Sequence, residues 1–82
     1  MIAINVKLFA AYQESYNQPE LTLTVEPGTT VGMVGDRIRA PYPELAALAT
    51  LTRYGINLEF VEPDTPVQEG DEVVLIPPVS GG

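Results

Sequence analysis

The residues that could do chemistry stand together at the end of the chain, in the run Ile76-Pro77-Pro78-Val79-Ser80-Gly81-Gly82. Gly81 and Gly82 have no side chains, so a narrow active-site channel in another protein could admit them. Glycine's wide φ/ψ range also lets the backbone approach a reacting group closely. Pro77 and Pro78 favour an extended, polyproline-like path that would project the end away from a folded domain. Six extended residues reach roughly 20 Å, enough to enter a partner's pocket. A terminal carboxylate is a poor electrophile until it is activated as an acyl adenylate, after which sulfur could displace the nucleotide. In that chemistry no residue of this chain acts as acid, base or metal ligand. Gly82 is the expected reacting residue and Gly81 its companion.

Little else in the sequence could act. The chain has no cysteine and no histidine, which excludes disulfides, zinc sites of the Cys/His kind, Ser-His-Asp triads and imidazole acid–base catalysis. Gly32 and Gly35 lack the lysine and the spacing of a phosphate-binding loop. The neighbouring carboxylates Asp71-Glu72 and Glu62/Asp64 read as turns and solvated edges. No bound cofactor or metal is expected. Eleven acidic residues against Lys7, Arg37, Arg39 and Arg53 give a net charge of −7. That leaves no basic footprint for nucleic acid. The acidity either steers the protein toward a basic partner surface or serves solubility alone. The longest apolar run, near residues 45–51, is too short to span a bilayer. The first residues alternate in polarity, unlike a signal peptide, so the expected setting is cytoplasmic, with no membrane partner.

The elements that must position the tail follow from periodicity. Ile2, Ile4, Val6 and Leu8 alternate with Ala3, Asn5, Lys7 and Phe9, the period of a half-buried strand. Gln13 to Glu20 reads as a loop. Leu21, Leu23 and Val25 alternate with threonines to give a second strand, and Pro27-Gly28 makes a turn. Thr29 or Thr30 can cap a helix whose buried face is Val31, Val34 and Ile38. Gly32 and Gly35 weaken that helix by about 1 kcal/mol each, and Pro41 and Pro43 stop it. A short helical turn over residues 44–51, a strand over 52–57 and a short strand at Phe60-Val61 come next. Glu72 to Ile76 is the last strand, ended by Pro77-Pro78. One α+β domain over residues 1–76 results, a mixed sheet of four or five strands with one main helix on one face. Residues 77–82 form its tail, and 82 residues with 45% hydrophobic content suffice for a single core.

Several segments resemble the molybdopterin synthase small subunit, a family of ubiquitin-like sulfur carriers. They are Lys7-Leu8-Phe9-Ala10, Pro27-Gly28-Thr29-Thr30-Val31-Gly32, Tyr42-Pro43-Glu44-Leu45, Ile56-Asn57, Asp64-Thr65-Pro66 and Gly70-Asp71-Glu72-Val73, with the whole terminal run from Ile76 to Gly82. The resemblance implies a β-grasp fold. It implies that an E1-like adenylating enzyme uses ATP to activate Gly82, and that a sulfur donor then converts it to a thiocarboxylate. The loaded tail would enter a large catalytic subunit, in a heterotetramer, and pass sulfur to cyclic pyranopterin monophosphate in molybdenum cofactor synthesis. Catalysis itself is expected in that large subunit.

Strand parity supplies a docking face. With Ile4, Val6 and Leu8 inward, Phe9 falls on the opposite side. With Val73 and Leu75 inward, Val74 and Ile76 point out. If these strands are neighbours, Phe9, Val74 and Ile76 form an apolar patch at the root of the tail, joined by Phe60 where Val61 takes the core side. The family resembled is similar in using hydrophobic residues at the positions of Phe9, Phe60 and Ile76. Pro77, Pro78, Val79 and Ser80 are the expected contacts of the tail with its partner. Other readings share the fold and the glycines: a carrier for the thiamine thiazole or another acceptor, or a ubiquitin-like modifier joined to lysines. A plain binding module would need no tail at all.

Overall fold

The alternation at the start of the chain builds β1, Ile2–Leu8, and the threonine-interleaved run builds β2, Glu20–Val25. The two pair antiparallel, Ile4 opposite Leu23 and Lys7 opposite Glu20. The computed structural model describes residues 1–78, and the predicted contacts Val79 and Ser80, with Gly81 and Gly82, lie outside the described residues.

Between these strands the sequence reads as a loop, and the structure instead has a short helix, α1, Ala11–Tyr16. Periodicity could not reveal it, because six residues bury only one side chain, Tyr12. Left-handed Asn17 ends α1, its N–H bonded to the Gln13 carbonyl.

The main helix α2, Val31–Arg39, starts where Thr30 accepts a hydrogen bond from the Met33 N–H at 3.2 Å. It buries Val31, Val34 and Ile38 as its spacing predicts. Arg37 and Arg39 sit in its last turn, favourably placed against the helix dipole. The two glycines that weaken α2 are sites of close approach. A Cβ on Gly35 would lie 2.6 Å from the Tyr54 hydroxyl, and one on Gly32 would lie 2.9 Å from the Pro63 carbonyl oxygen.

A 3-10 segment, Pro43–Leu48, follows, then β3, Arg53–Ile56, β4, Glu59–Val61, and β5, Glu72–Ile76. The sheet runs β2-β1-β5-β3-β4. β1 and β5 are parallel and the other pairs antiparallel. This is the mixed five-stranded sheet of a β-grasp fold, with α2 against one face. Ile4, Val6, Leu8, Val73 and Leu75 line that inner face, each at most 1% exposed. Among the described residues the other face carries no helix. Among the described residues no helix is long and apolar enough to cross a membrane.

Candidate functional site

The outward face divides into a charged half and an apolar half. Parity along each strand sets which side chains point out, and pairing sets which of them meet. Lys7 lies opposite Glu20 on one side and opposite Val74 on the other. Val74 lies opposite Gly55, and Gly55 opposite Phe60. One row therefore crosses all five strands as Glu20, Lys7, Val74, Gly55, Phe60.

At the β2 side of this row, Lys7 Nζ sits 3.2 Å from Glu20 Oε1 and 3.5 Å from Glu72 Oε2. Asn5 Nδ2 donates to Glu20 Oε1 at 2.9 Å. The hydrogen bond from Asn5, then the hydrogen bond and charge of Lys7, hold the Glu20 carboxyl below its ordinary pKa. The hydrogen bond with Glu20, with the charges of Glu20 and Glu72, raises that of Lys7.

At the other side the face is apolar. Phe60 is 71% exposed on the edge strand, while Val61 beside it packs on the core. Val74 and Ile76 are half-buried. Phe9 and Ile76 follow the last paired residues of β1 and β5, Leu8 and Leu75, and Phe9 is 45% exposed. Phe60, Val74 and Ile76 are thus on the outward face, and Phe9 follows β1 at the end where β5 gives way to Pro77. Pro77 is buried and Pro78 exposed at that point.

Two residues of this face escape sequence reasoning. Gly55 stands between Val74 and Phe60 without a side chain, which lowers the surface between them. A Cβ there would be 3.3 Å from the Glu59 carbonyl oxygen. Arg53 lies opposite Ile76, and its side chain borders a groove of about 490 Å³ shared with Phe60, Val61 and Glu62. Parity puts both outward, but only the pairing of β3 with β5 puts them beside the patch.

On the inner side, one polar cluster is buried between α2 and the sheet. Arg39 donates from Nη1 to the Tyr12 hydroxyl at 3.0 Å, and from Nη2 to Asp36 at 2.8 Å and to the Tyr54 hydroxyl at 3.2 Å. The Tyr12 and Thr52 hydroxyls bond at 2.6 Å. Burial presses the guanidinium's pKa down, and the three hydrogen-bonding partners outweigh it and hold the pKa above its ordinary value. Among the described residues no buried side-chain polar atom lacks a partner. A fully paired cluster of this kind holds elements together rather than presenting a reactive group.

Asp71 accepts from the Asn57 side chain at 3.0 Å and from the Gln68 N–H at 2.8 Å, as a turn residue does. Among the described residues no acidic cluster has the form of a metal site. What the described surface offers is therefore an exposed apolar area on the outward face, next to the end of β5 and Pro77-Pro78.

Residues 6–82 match the model of the ThiS family. The molybdopterin synthase sulfur carrier subunit of Mycobacterium tuberculosis is 36% identical over 84 residues, spanning all of both chains. Among solved structures, the small archaeal modifier protein 1 of Methanosarcina acetivorans superposes with a TM-score of 0.76 at 27% identity, covering 100% of this chain and 98% of its own. Caldiarchaeum subterraneum ubiquitin shares the fold, with a TM-score of 0.68 at 24% identity, covering 99% of this chain and 98% of its own.

Proposed function

This chain belongs to the ThiS family, the ubiquitin-like sulfur carriers that include the molybdopterin synthase small subunits, and from that premise we propose that Gly82 carries sulfur as a thiocarboxylate. The observation that supports this most directly is the position of the apolar patch. Phe9, Phe60, Val74 and Ile76 gather where β5 hands the chain to Pro77-Pro78, so a partner that covers them receives the tail beside its own surface.

In the proposed cycle, a carboxylate oxygen of Gly82 attacks the α-phosphorus of ATP in an E1-like adenylating enzyme, and pyrophosphate leaves. Sulfide-level sulfur released by a donor then attacks the acyl carbon and AMP leaves, which gives the thiocarboxylate. The loaded tail enters the large catalytic subunit of molybdopterin synthase and gives its sulfur to cyclic pyranopterin monophosphate. The thiocarboxylate sulfur displaces an oxygen substituent from a substrate carbon, giving a thioester. Water then breaks the acyl C–S bond, leaving the sulfur on the substrate and restoring the Gly82 carboxylate. The chain itself contributes the docking face, the reach of the tail and two residues slender enough for a channel. Because no side chain of this protein moves a proton in these steps, it serves as co-substrate, with ATP consumed in the partner enzyme.

The test is the intact mass after incubation with the host's adenylating enzyme, ATP and a sulfur source. The expected gain equals one oxygen replaced by sulfur, absent when Gly82 is deleted. An unchanged mass, with the adenylating enzyme active on another substrate, overturns the proposal.

A second reading, favoured by the likeness to the small archaeal modifier protein, has the same activated carboxylate joined to lysines of target proteins. Conjugates linked through Gly82 in cell extracts would establish it.

A further inference from the structure

Three of the four cations in this acidic chain are already engaged. Lys7 lies between Glu20 and Glu72, Arg37 donates to the Thr24 carbonyl at 3.0 Å, and Arg39 is buried in its hydrogen-bonded cluster. Arg53 differs. It is exposed at the first position of β3, opposite Ile76 on the outward face. Among the described residues no carboxylate lies within ion-pair distance of it. Its groove is lined by Phe60 and also by Glu62, which forms no ion pair with it, so Arg53 lies at the border of the apolar patch.

A partner that covers Phe60 and Ile76 must also take water from Arg53. Desolvating a charge without a counter-charge opposes binding, and an apolar collar around the pair makes the penalty larger. The planar fork of a guanidinium is met best by a carboxylate, which can accept two parallel hydrogen bonds. Building on the carrier reading above, we infer that Arg53 is a specificity-determining residue of the docking face and pairs with a carboxylate of the large subunit. The local sign is then opposite to the global one. The net charge of −7 draws the protein toward a basic surface at long range, while the contact beside the tail demands an acid. A surface that is basic throughout would be attracted and then rejected.

The experiment measures the Kd of the full chain for the large subunit of its own host's molybdopterin synthase at low and high salt. Wild type is compared with Arg53→Lys, Arg53→Ala and Arg53→Glu, with Phe60→Ala as a marker of the face itself. Arg53→Glu is expected to weaken binding most, by about tenfold or more, Arg53→Ala less, and Arg53→Lys least. Arg53→Ala also alters the salt dependence, which a loss of packing alone would not do. Because the side chain is exposed, thermal melts of all four should coincide. If Arg53→Glu binds within about twofold of wild type while Phe60→Ala binds weakly, the role of Arg53 is overturned and the docking face stands. If wild type does not bind the large subunit at all, the assignment to molybdopterin synthase beneath it falls.

Discussion

Gly35 lacks a side chain because Tyr54 occupies the space that one would fill. In an ordinary helix, Gly→Ala stabilises by about 1 kcal/mol. Here the new Cβ would meet the Tyr54 hydroxyl at 2.6 Å and its ring at 2.8 Å, so Gly35→Ala should instead destabilise, by ~1–3 kcal/mol. Chemical denaturation would measure it. Glu20 offers a test of a different kind. Asn5→Ala removes the hydrogen bond that does most to lower its carboxyl pKa, so an NMR titration should show the midpoint moving up toward the ordinary carboxylate value. The sign for stability follows. The group's contribution is present above the unfolded-state pKa and is lost as pH falls through the lower folded value. Arg53 and Gly55 show what single positions conceal. On its own, a charge or a glycine on an outward strand position looks like solvated surface, and only its neighbours across the sheet give it a role.

At the scale of elements, the strands were legible because a two-residue period needs only a few residues to declare itself. Ile4, Val6, Leu8, Val73 and Leu75 are inward as the alternation predicts, and α2 has its expected Thr30 cap and buried stripe. α1 was not legible. Its anchor is a distant contact, the Tyr12 hydroxyl meeting Thr52 and Arg39, and no local pattern encodes a partner 40 residues away. Tyr12→Phe leaves the ring buried but removes that oxygen, so it should cost ~1–3 kcal/mol of stability. Equilibrium unfolding would read the loss, with sulfur loading of the tail unaffected. Cross-strand order is the other feature absent from local pattern. The pairings of β1 with β5, β5 with β3 and β3 with β4 are what bring strand ends far apart in sequence to one side of the sheet.

For the whole molecule, the buried core and the proposed docking residues lie on opposite faces of one sheet. Phe60 is 71% exposed, so Phe60→Ala should leave the melting temperature almost unchanged while weakening large-subunit binding by about 1–2 kcal/mol or more. A melt beside a titration separates the two effects. The direction of the strands has a practical consequence. β1 and β5 run side by side in the same sense, so chain ahead of Ile2 and chain beyond Ile76 leave from opposite poles. An affinity tag, dye or surface tether placed before Ile2 would sit at the far pole from Phe9 and Phe60 and leave the carboxylate free. The same handle attached after Gly82 would convert that carboxylate to an amide and remove the group that the proposed adenylation requires.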